Sequence, residues 1–428
     1  MTERTFAPPL PLALNARLSV MMFLQYAIWG AWLPLFWSFL TEHRGFSGSA
    51  TGYLFSIAAV GALVAPFIAG QIADRYFNTE KFLAFSHVAG AILVWQLGTV
   101  TTYIGFVVFG LLYSMIYAPT LPLTNSLAFH HLPDRDRDFG RVRVWGTVGW
   151  IVVGIGIGQW LLHQHTPTGY GEASVRSAQV AGMADAFKLS AILGLIQGLY
   201  CLTLPATPPQ PGKQAFAPFA ALGEIRKQPL LALFLISFPI ACVHQFYFVH
   251  TAGFLGKLSS PLADKINTVF GVGGGGLMTI GQMAEILVLA SMPLVARKLG
   301  RKPLLLIGLA AYTLRFALFA FIPDPVAVIP ALALHGLIFG CFFFVCFMIV
   351  DENTSTDVRA SAQGLFNLVV VGLGTIVGNF FSGFVYDFTT KDKVTDYRML
   401  YAIPMGVCVV CFLALLALYP SRKPSEAA

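Results

Sequence analysis

Residues 277–295 read LMTIGQMAEILVLASMPLV, an apolar run that contains a single acidic side chain, Glu285, one helical turn after Gln282. As a helix this run covers about 28 Å, close to the thickness of the hydrocarbon core of a bilayer. A carboxylate at that depth is expensive, and residues of this kind usually serve a function. The run therefore predicts a transmembrane helix that carries a functional carboxylate.

The composition extends this prediction to the whole chain. The 428 residues are 56% hydrophobic and only 11% charged, and their mean hydropathy is +0.71, values outside the range of soluble domains. Twelve stretches are long and apolar enough to cross a membrane, which predicts an all-α polytopic membrane protein. They lie near residues 18–40, 50–69, 82–104, 106–128, 143–162, 181–204, 230–255, 270–295, 303–322, 326–350, 361–386 and 400–419.

A polar, proline-rich stretch at residues 205–229 divides the predicted spans into two sets of six. Its composition is typical of a linker. It predicts an N-terminal six-helix half at 1–204, a cytoplasmic linker at 205–229 and a C-terminal six-helix half at 230–428. Charged loops follow span 2 and span 8 at equivalent places, which favours a duplicated six-helix unit.

The distribution of basic residues predicts the orientation. Most of the 27 Lys and Arg residues fall in cytoplasmic segments if both termini are inside, as the positive-inside rule requires. The net charge of +7 then reflects topology and contact with anionic lipid, and it is no argument for nucleic acid.

Enzyme and pump motifs are missing from the sequence. It contains no nucleophile elbow, zinc-protease motif or phosphate-binding P-loop, and the histidine and aspartate residues at 130–138 are expected to form a solvated loop. We therefore expect no enzyme activity, no cofactor and no metal. An ion gradient would have to drive any transport.

Helical spacing places the chemically unusual side chains on shared faces. Together they provide a carboxylate, a guanidinium group, amides and aromatic rings, which suit a solute with both hydroxyls and a ring, such as a nucleoside. Helix packing and interhelical hydrogen bonds are the structural alternatives, and Arg143 could instead extend its head group into water at the interface. The faces comprise Arg143, Thr147 and Trp150 in span 5, Gln245 and Phe248 in span 7, Gln282 and Glu285 in span 8, and His335, Phe339 and Phe343 in span 10.

The loop after span 2 has the pattern Gly70-x-x-x-Asp74-Arg75, followed by the basic residue Lys81. It resembles the loop signature of the major facilitator superfamily. This resemblance implies that Gly70, Asp74 and Arg75 form a conformational latch on the cytoplasmic side. An ordinary positively charged loop is the alternative.

Further segments resemble the bacterial nucleoside:proton symporter family within that superfamily, and they occur in family order along nearly the whole chain. The resemblance implies the major facilitator fold and proton-coupled nucleoside transport. The segments are Phe23–Trp32, Tyr117–Leu121, Arg143–Gly149, Gln282–Glu285, Leu314–Ala320 and Arg359–Gly364.

The same resemblance implies which residues bind the solute: Arg143, Thr147, Trp150, Gln245, Gln282, Glu285, Phe339 and Phe343. Two positions depart from the family pattern. Phe248 stands where the family has an asparagine, and Phe344 stands where it has an acidic residue.

Because that acid takes part in binding and proton coupling in the family, its replacement by Phe344 leaves three possibilities. Coupling rests on Glu285 alone, a histidine takes part, or the protein is an uncoupled facilitator. His335 is the candidate histidine, since it shares a helical face with Phe339 and Phe343 and since histidine titrates near pH 6.5. A histidine that only packs and hydrogen-bonds between helices is the ordinary alternative.

The combined prediction is a monomeric secondary transporter in a bacterial inner membrane that imports nucleosides with protons by alternating access. Its substrate-binding residues are those implied above, and Glu285 and His335 couple the proton. One alternative is a major facilitator for a sugar, a nucleoside-like metabolite or a drug. A non-transporting membrane sensor or scaffold is an alternative of another class.

Overall fold

The computed structural model describes residues 8–68, 77–208, 223, 225–258, 260–355 and 359–420. These residues form two compact units. Unit 1 holds those within Met1–Phe46, Ile57–Lys213 and Thr268–Thr279, and unit 2 holds those within Ser47–Ser56, Gln214–Asn267 and Ile280–Ala428. Two short segments thus group with the unit that lies on the other side of the linker in sequence, and the division into halves of six helices stays a prediction.

Unit 1 is built around a core of apolar side chains that includes Leu18, Leu83 and Leu127. The predicted fourth span is two helices, because Pro119, which has no N–H group to donate, follows the end of the first. The helices are α1 (Leu12–Ser38, continued by a π-helical turn at Phe39–His43), α2 (Gly48–Ile68, whose start belongs to unit 2), α3 (Thr79–Thr99), α4 (Tyr103–Tyr117), α5 (Thr120–His131), α6 (Arg135–Gln164), α7 (Glu172–Gly182) and α8 (Ala184–Cys201).

Unit 2 has an aromatic core that includes Tyr312, Phe316, Phe319 and Tyr401. A short hairpin pairs Thr390 with Thr395. The elements are α9 (Leu230–Leu255), α10 (Pro261–Phe270), α11 (Gly275–Lys298, whose start belongs to unit 1), α12 (Arg301–Phe321), α13 (Pro325–Leu332), α14 (Leu334–Ile338), a π-helical turn (Phe339–Phe344), α15 (Val345–Glu352), α16 (Arg359–Asn367), a second π-helical turn (Leu368–Leu373), α17 (Gly374–Thr389), β1 (Thr390–Lys391), β2 (Val394–Thr395) and α18 (Tyr397–Leu418).

Within the described part of the chain, 11 helical segments are long and apolar enough to cross a membrane. They correspond to predicted spans 1 and 3 to 12, and α2 occupies the place of predicted span 2. The predicted all-α polytopic class is confirmed. The segments are Leu12–His43, Thr79–Thr99, Tyr103–His131, Arg137–Gln164, Glu172–Cys201, Leu230–Leu255, Gly275–Ala296, Arg301–Phe321, Pro325–Glu352, Ser361–Thr389 and Tyr397–Leu418.

Some predicted features lie outside the described residues. The proposed latch residues Gly70, Asp74 and Arg75 are among them, as is most of the linker at 205–229. The latch and the linker therefore stay predictions.

Candidate functional site

Glu285 lies midway along α11, and His335 on α14 is its neighbour. The Nε2 atom of His335 is 3.6 Å from the Oε2 atom of Glu285, and the two side chains are 2% and 16% exposed. The structure thus brings together the two residues that the sequence predicted for proton coupling.

Gly336 allows this approach of α14 to α11. A Cβ atom at position 336 would lie 2.5 Å from the carbonyl carbon and oxygen of Ala284 and 2.8 Å from the backbone nitrogen of Glu285. Any larger residue would push the two helices apart. Because Gly336 has no side chain, His335 can lie next to the Glu285 carboxylate.

Arg315 on α12 is a second charged residue next to His335, and sequence reasoning assigned it no role. It is fully buried, its Nη1 atom is 3.3 Å from Nδ1 of His335, and its guanidinium carbon lies 4.0 Å from the centre of the Tyr247 ring. The rule that singled out Glu285, a lone charge within an apolar span, also applies to Arg315 and could have identified it.

Two more side chains from α9 hold His335. The Tyr247 ring stacks on the imidazole at 4.8 Å with an interplanar angle of 19°, and the His244 ring lies 5.8 Å away at 14°. Nδ1 of His244 is hydrogen-bonded to the Tyr312 hydroxyl. We call Glu285, His335, Arg315, Tyr247 and His244 the Glu285 cluster; nothing in the sequence pattern marked Tyr247 or His244 as members.

The aromatic residues predicted in span 10 lie in the π-helical turn Phe339–Phe344. Turns of this kind occur frequently at functional sites. The Phe339 and Phe343 rings are 6.3 Å apart, and Phe343 also contacts the His244 ring at 4.9 Å. Phe343 therefore lies against the Glu285 cluster, whereas Phe344 points elsewhere on the helix and is 40% exposed.

The two predicted glutamines have different surroundings. Gln245 donates from Nε2 to the Thr375 hydroxyl on α17, at 3.3 Å, which is the interhelical contact expected of a structural glutamine. Gln282 is buried, and its Oε1 atom has no hydrogen-bond partner among the described residues. A buried acceptor without a donor is unfavourable, so Gln282 is the better candidate for a solute contact.

Arg143, Thr147 and Trp150 lie in unit 1 on α6, which starts at Arg135, well before the predicted span. Arg143 is therefore about 12 Å along the helix axis, not at its end. The Arg143 guanidinium group lies 4.1 Å from the centre of the Tyr26 ring. The Trp150 ring contacts the Trp29 ring edge-on, with 6.1 Å between the ring centres, and the Thr147 side chain is partly buried.

A polar cluster elsewhere in unit 1 was also missed. Gln25 on α1 is fully buried; its Nε2 donates to the Thr120 hydroxyl at 2.8 Å, and its Oε1 accepts from the Thr124 hydroxyl at 3.0 Å. Because both ends of the amide are satisfied, Gln25 joins α1 to α5 as a structural element.

Similarity to known proteins extends over nearly the whole chain. The family model described as "Nucleoside H+ symporter" matches residues 12–424. YegT of Escherichia coli (strain K12) is 33% identical over 85% of this chain and 82% of its own length. The nucleoside permease NupG of the same organism is 28% identical over 95% of this chain and 96% of its own length.

A solved structure shows the same fold. The crystal structure of the nucleoside transporter NupG superposes with a TM-score of 0.82 at 26% identity, covering 96% of this chain and 100% of that one. The predicted major facilitator fold is confirmed. The chain belongs to the nucleoside H+ symporter family and is a multi-span membrane transporter, not an enzyme.

Proposed function

We propose that this transporter imports nucleosides by proton symport and that Glu285 carries the proton. The observation that supports this most directly is the position of its carboxyl group, mostly buried on a membrane span and 3.6 Å from a histidine nitrogen. A charged carboxylate resists transfer into a closed, dry site, and protonation removes that resistance. Alternating access then follows if the site closes only when Glu285 is protonated.

The proposed solute contacts are Arg143, Thr147, Trp150, Gln245, Gln282, Glu285, Phe339 and Phe343. Support is strongest for Gln282, because its buried acceptor atom suits a ribose hydroxyl. The Phe339 and Phe343 rings offer flat faces to a base. His335 assists the coupling as the neighbour of Glu285.

One proton per cycle is sufficient energetically. A membrane potential of about 100 mV supplies about 2.3 kcal/mol per proton, and about 1.4 kcal/mol corresponds to a factor of ten in concentration. The potential alone therefore supports a concentration ratio of about fifty-fold.

Uptake of radiolabelled uridine or adenosine into proteoliposomes tests the proposal. With an inward proton gradient we expect saturable accumulation above the outside concentration, and with an uncoupler we expect only equilibration. Nucleoside uptake that does not depend on the proton gradient would identify an uncoupled facilitator. Saturable uptake of a labelled sugar without any nucleoside uptake would indicate another solute. Phe248 favours that alternative, because its ring lies 4.9 Å from the His244 ring and makes this region less polar.

Gln282→Leu separates solute binding from helix packing. If Gln282 binds solute, we expect the apparent KM for nucleoside to rise about three- to tenfold, because one neutral hydrogen bond is lost. The empty protein should be as stable as the wild type or more stable, since an unpaired buried acceptor has been removed. A lower Tm with unchanged KM would instead indicate a packing role.

We infer that the protein lies in a bacterial inner membrane as a monomer with both termini in the cytoplasm. The family's bacterial members and the distribution of basic residues support this. The orientation can be tested with the single variants Lys391→Cys and Lys423→Cys. A membrane-impermeant thiol reagent added outside should label the cysteine at position 391 and should not label the one at position 423.

A further inference from the structure

Arg315 is a charged group that the proposed coupling does not yet use. Arginine stays protonated in proteins, and its guanidinium group can only donate hydrogen bonds. The side chain is fully buried, and its Nη1 atom is 3.3 Å from Nδ1 of His335. The lone pair on Nδ1 must therefore face the arginine, because an N–H at that position would point at another donor.

We infer that Arg315 is a positioning residue that selects the tautomer of His335. With Nδ1 as the acceptor, the neutral imidazole carries its proton on Nε2, and Nε2 is the atom that faces Oε2 of Glu285 at 3.6 Å. Arg315, His335 and Glu285 thus form a directed chain in which the guanidinium donates to the imidazole and the imidazole donates toward the carboxylate. This inference rests on the proposed role of Glu285 in coupling.

The ring is also held in orientation. Tyr247 contacts both Arg315 and His335: its ring stacks on the imidazole at 4.8 Å, and the Arg315 guanidinium carbon lies 4.0 Å from the ring centre. A cation and an imidazole packed on the same phenol ring restrict each other. The titratable groups that interact with Arg315 come from four helices: Tyr247 and His244 from α9, Tyr312 from α12, His335 from α14, and Tyr401 and Cys408 from α18.

The tautomer restricts the route of the proton. A second proton on His335 would have to take the Nδ1 lone pair and place two cations 3.3 Å apart. His335 therefore keeps its single proton on Nε2, the atom that faces Glu285, and the transported proton stays on the carboxyl group.

Nitrogen-15 NMR of histidine-labelled protein in liposomes tests this without any transport measurement. The difference between wild type and His335→Asn identifies the His335 signals among the nine histidines. In the wild type near pH 7 we expect a neutral ring protonated at Nε2. In Arg315→Met we expect the Nδ1-protonated form to appear, whereas Arg315→Lys, which keeps a charged donor, should keep the ring protonated at Nε2.

His250 provides an internal reference. Its Nε2 is 3.2 Å from the Ser382 carbonyl oxygen, which can only accept, so its ring is also protonated at Nε2 and should not respond to Arg315→Met. A wild-type His335 that is protonated at Nδ1, or that is doubly protonated, would overturn the inference even if Arg315→Met does not fold. An unchanged tautomer in a folded Arg315→Met protein would also overturn it.

A double-mutant cycle supplies the functional measurement. If Arg315 acts through His335, Arg315→Met and His335→Asn should each lower gradient-driven accumulation, by at least about tenfold for a charge-assisted hydrogen bond, and the double variant should be no worse than the more impaired single one. A double variant in which the two single losses of accumulation multiply would contradict the proposed action of Arg315 through His335. If the wild-type protein does not transport nucleosides, the proposed function is refuted, but the NMR test of the His335 tautomer remains valid.

Discussion

Glu285→Gln is expected to abolish accumulation of nucleoside while preserving exchange across the membrane. Glutamine resembles the protonated carboxyl group: it is neutral, has nearly the same shape and still offers an oxygen to Nε2 of His335, 3.6 Å from the carboxylate in the wild type. It cannot release a proton. The site can then close and reopen with solute, but the roughly fifty-fold ratio available from about 100 mV should fall to one.

Two assays on the same proteoliposomes separate these effects. Steady-state accumulation of labelled uridine under an imposed gradient measures coupling, and counterflow against unlabelled internal uridine measures exchange. Glu352→Gln is a matched control, because Glu352 is an exposed carboxylate that pairs with Arg301 at the end of α15; it should accumulate uridine like the wild type. Gradient-dependent accumulation by Glu285→Gln would refute the coupling role.

Gly336→Ala should lower both stability and coupling, although it adds only one carbon atom. That atom would lie 2.5 Å from the Ala284 carbonyl group, so α14 must move away from α11. Overpacking of this kind costs about 1–3 kcal/mol. The shift should also separate His335 from Glu285, and we expect a lower Tm together with reduced accumulation of nucleoside.

Gly156→Ala is the control for helix propensity and for the loss of a glycine. A Cβ atom at Gly156 on α6 meets nothing within 4 Å, so the change should leave Tm unchanged or raise it slightly, since alanine favours the helix. Thermal unfolding and the accumulation assay are sufficient for both variants. A Gly336→Ala protein with wild-type Tm would show that the two helices tolerate the extra atom.

The membrane-spanning helices could be predicted because a bilayer imposes a simple rule. A segment in hydrocarbon must form its backbone hydrogen bonds internally and present apolar side chains over about 20 residues. Such a segment can be recognised in a linear sequence. The breaks within spans, such as those at Pro119 and at the π-helical turn Phe339–Phe344, depend on local packing. They were not predicted.

Glu285 could be found from the sequence because a lone charge in an apolar run is conspicuous, and His335 because it shares a helical face with Phe339 and Phe343. Arg315 carried the same signal and was passed over. Tyr247 carried none: it is one of 14 tyrosines, and only the packing of α9 shows that its ring contacts both Arg315 and His335.

The sequence by itself determined the class of this protein, its membrane-spanning segments and the presence of a costly carboxylate on one of them, because hydrophobicity and charge are properties of single residues and short runs. The tertiary structure alone decided which groups surround that carboxylate. Contacts between α9, α11, α12 and α14 depend on helix rotation and close approach at Gly336, and these are set by the packing of distant segments. That packing places a buried arginine next to Nδ1 of His335 and the Glu285 carboxylate next to Nε2 of the same ring.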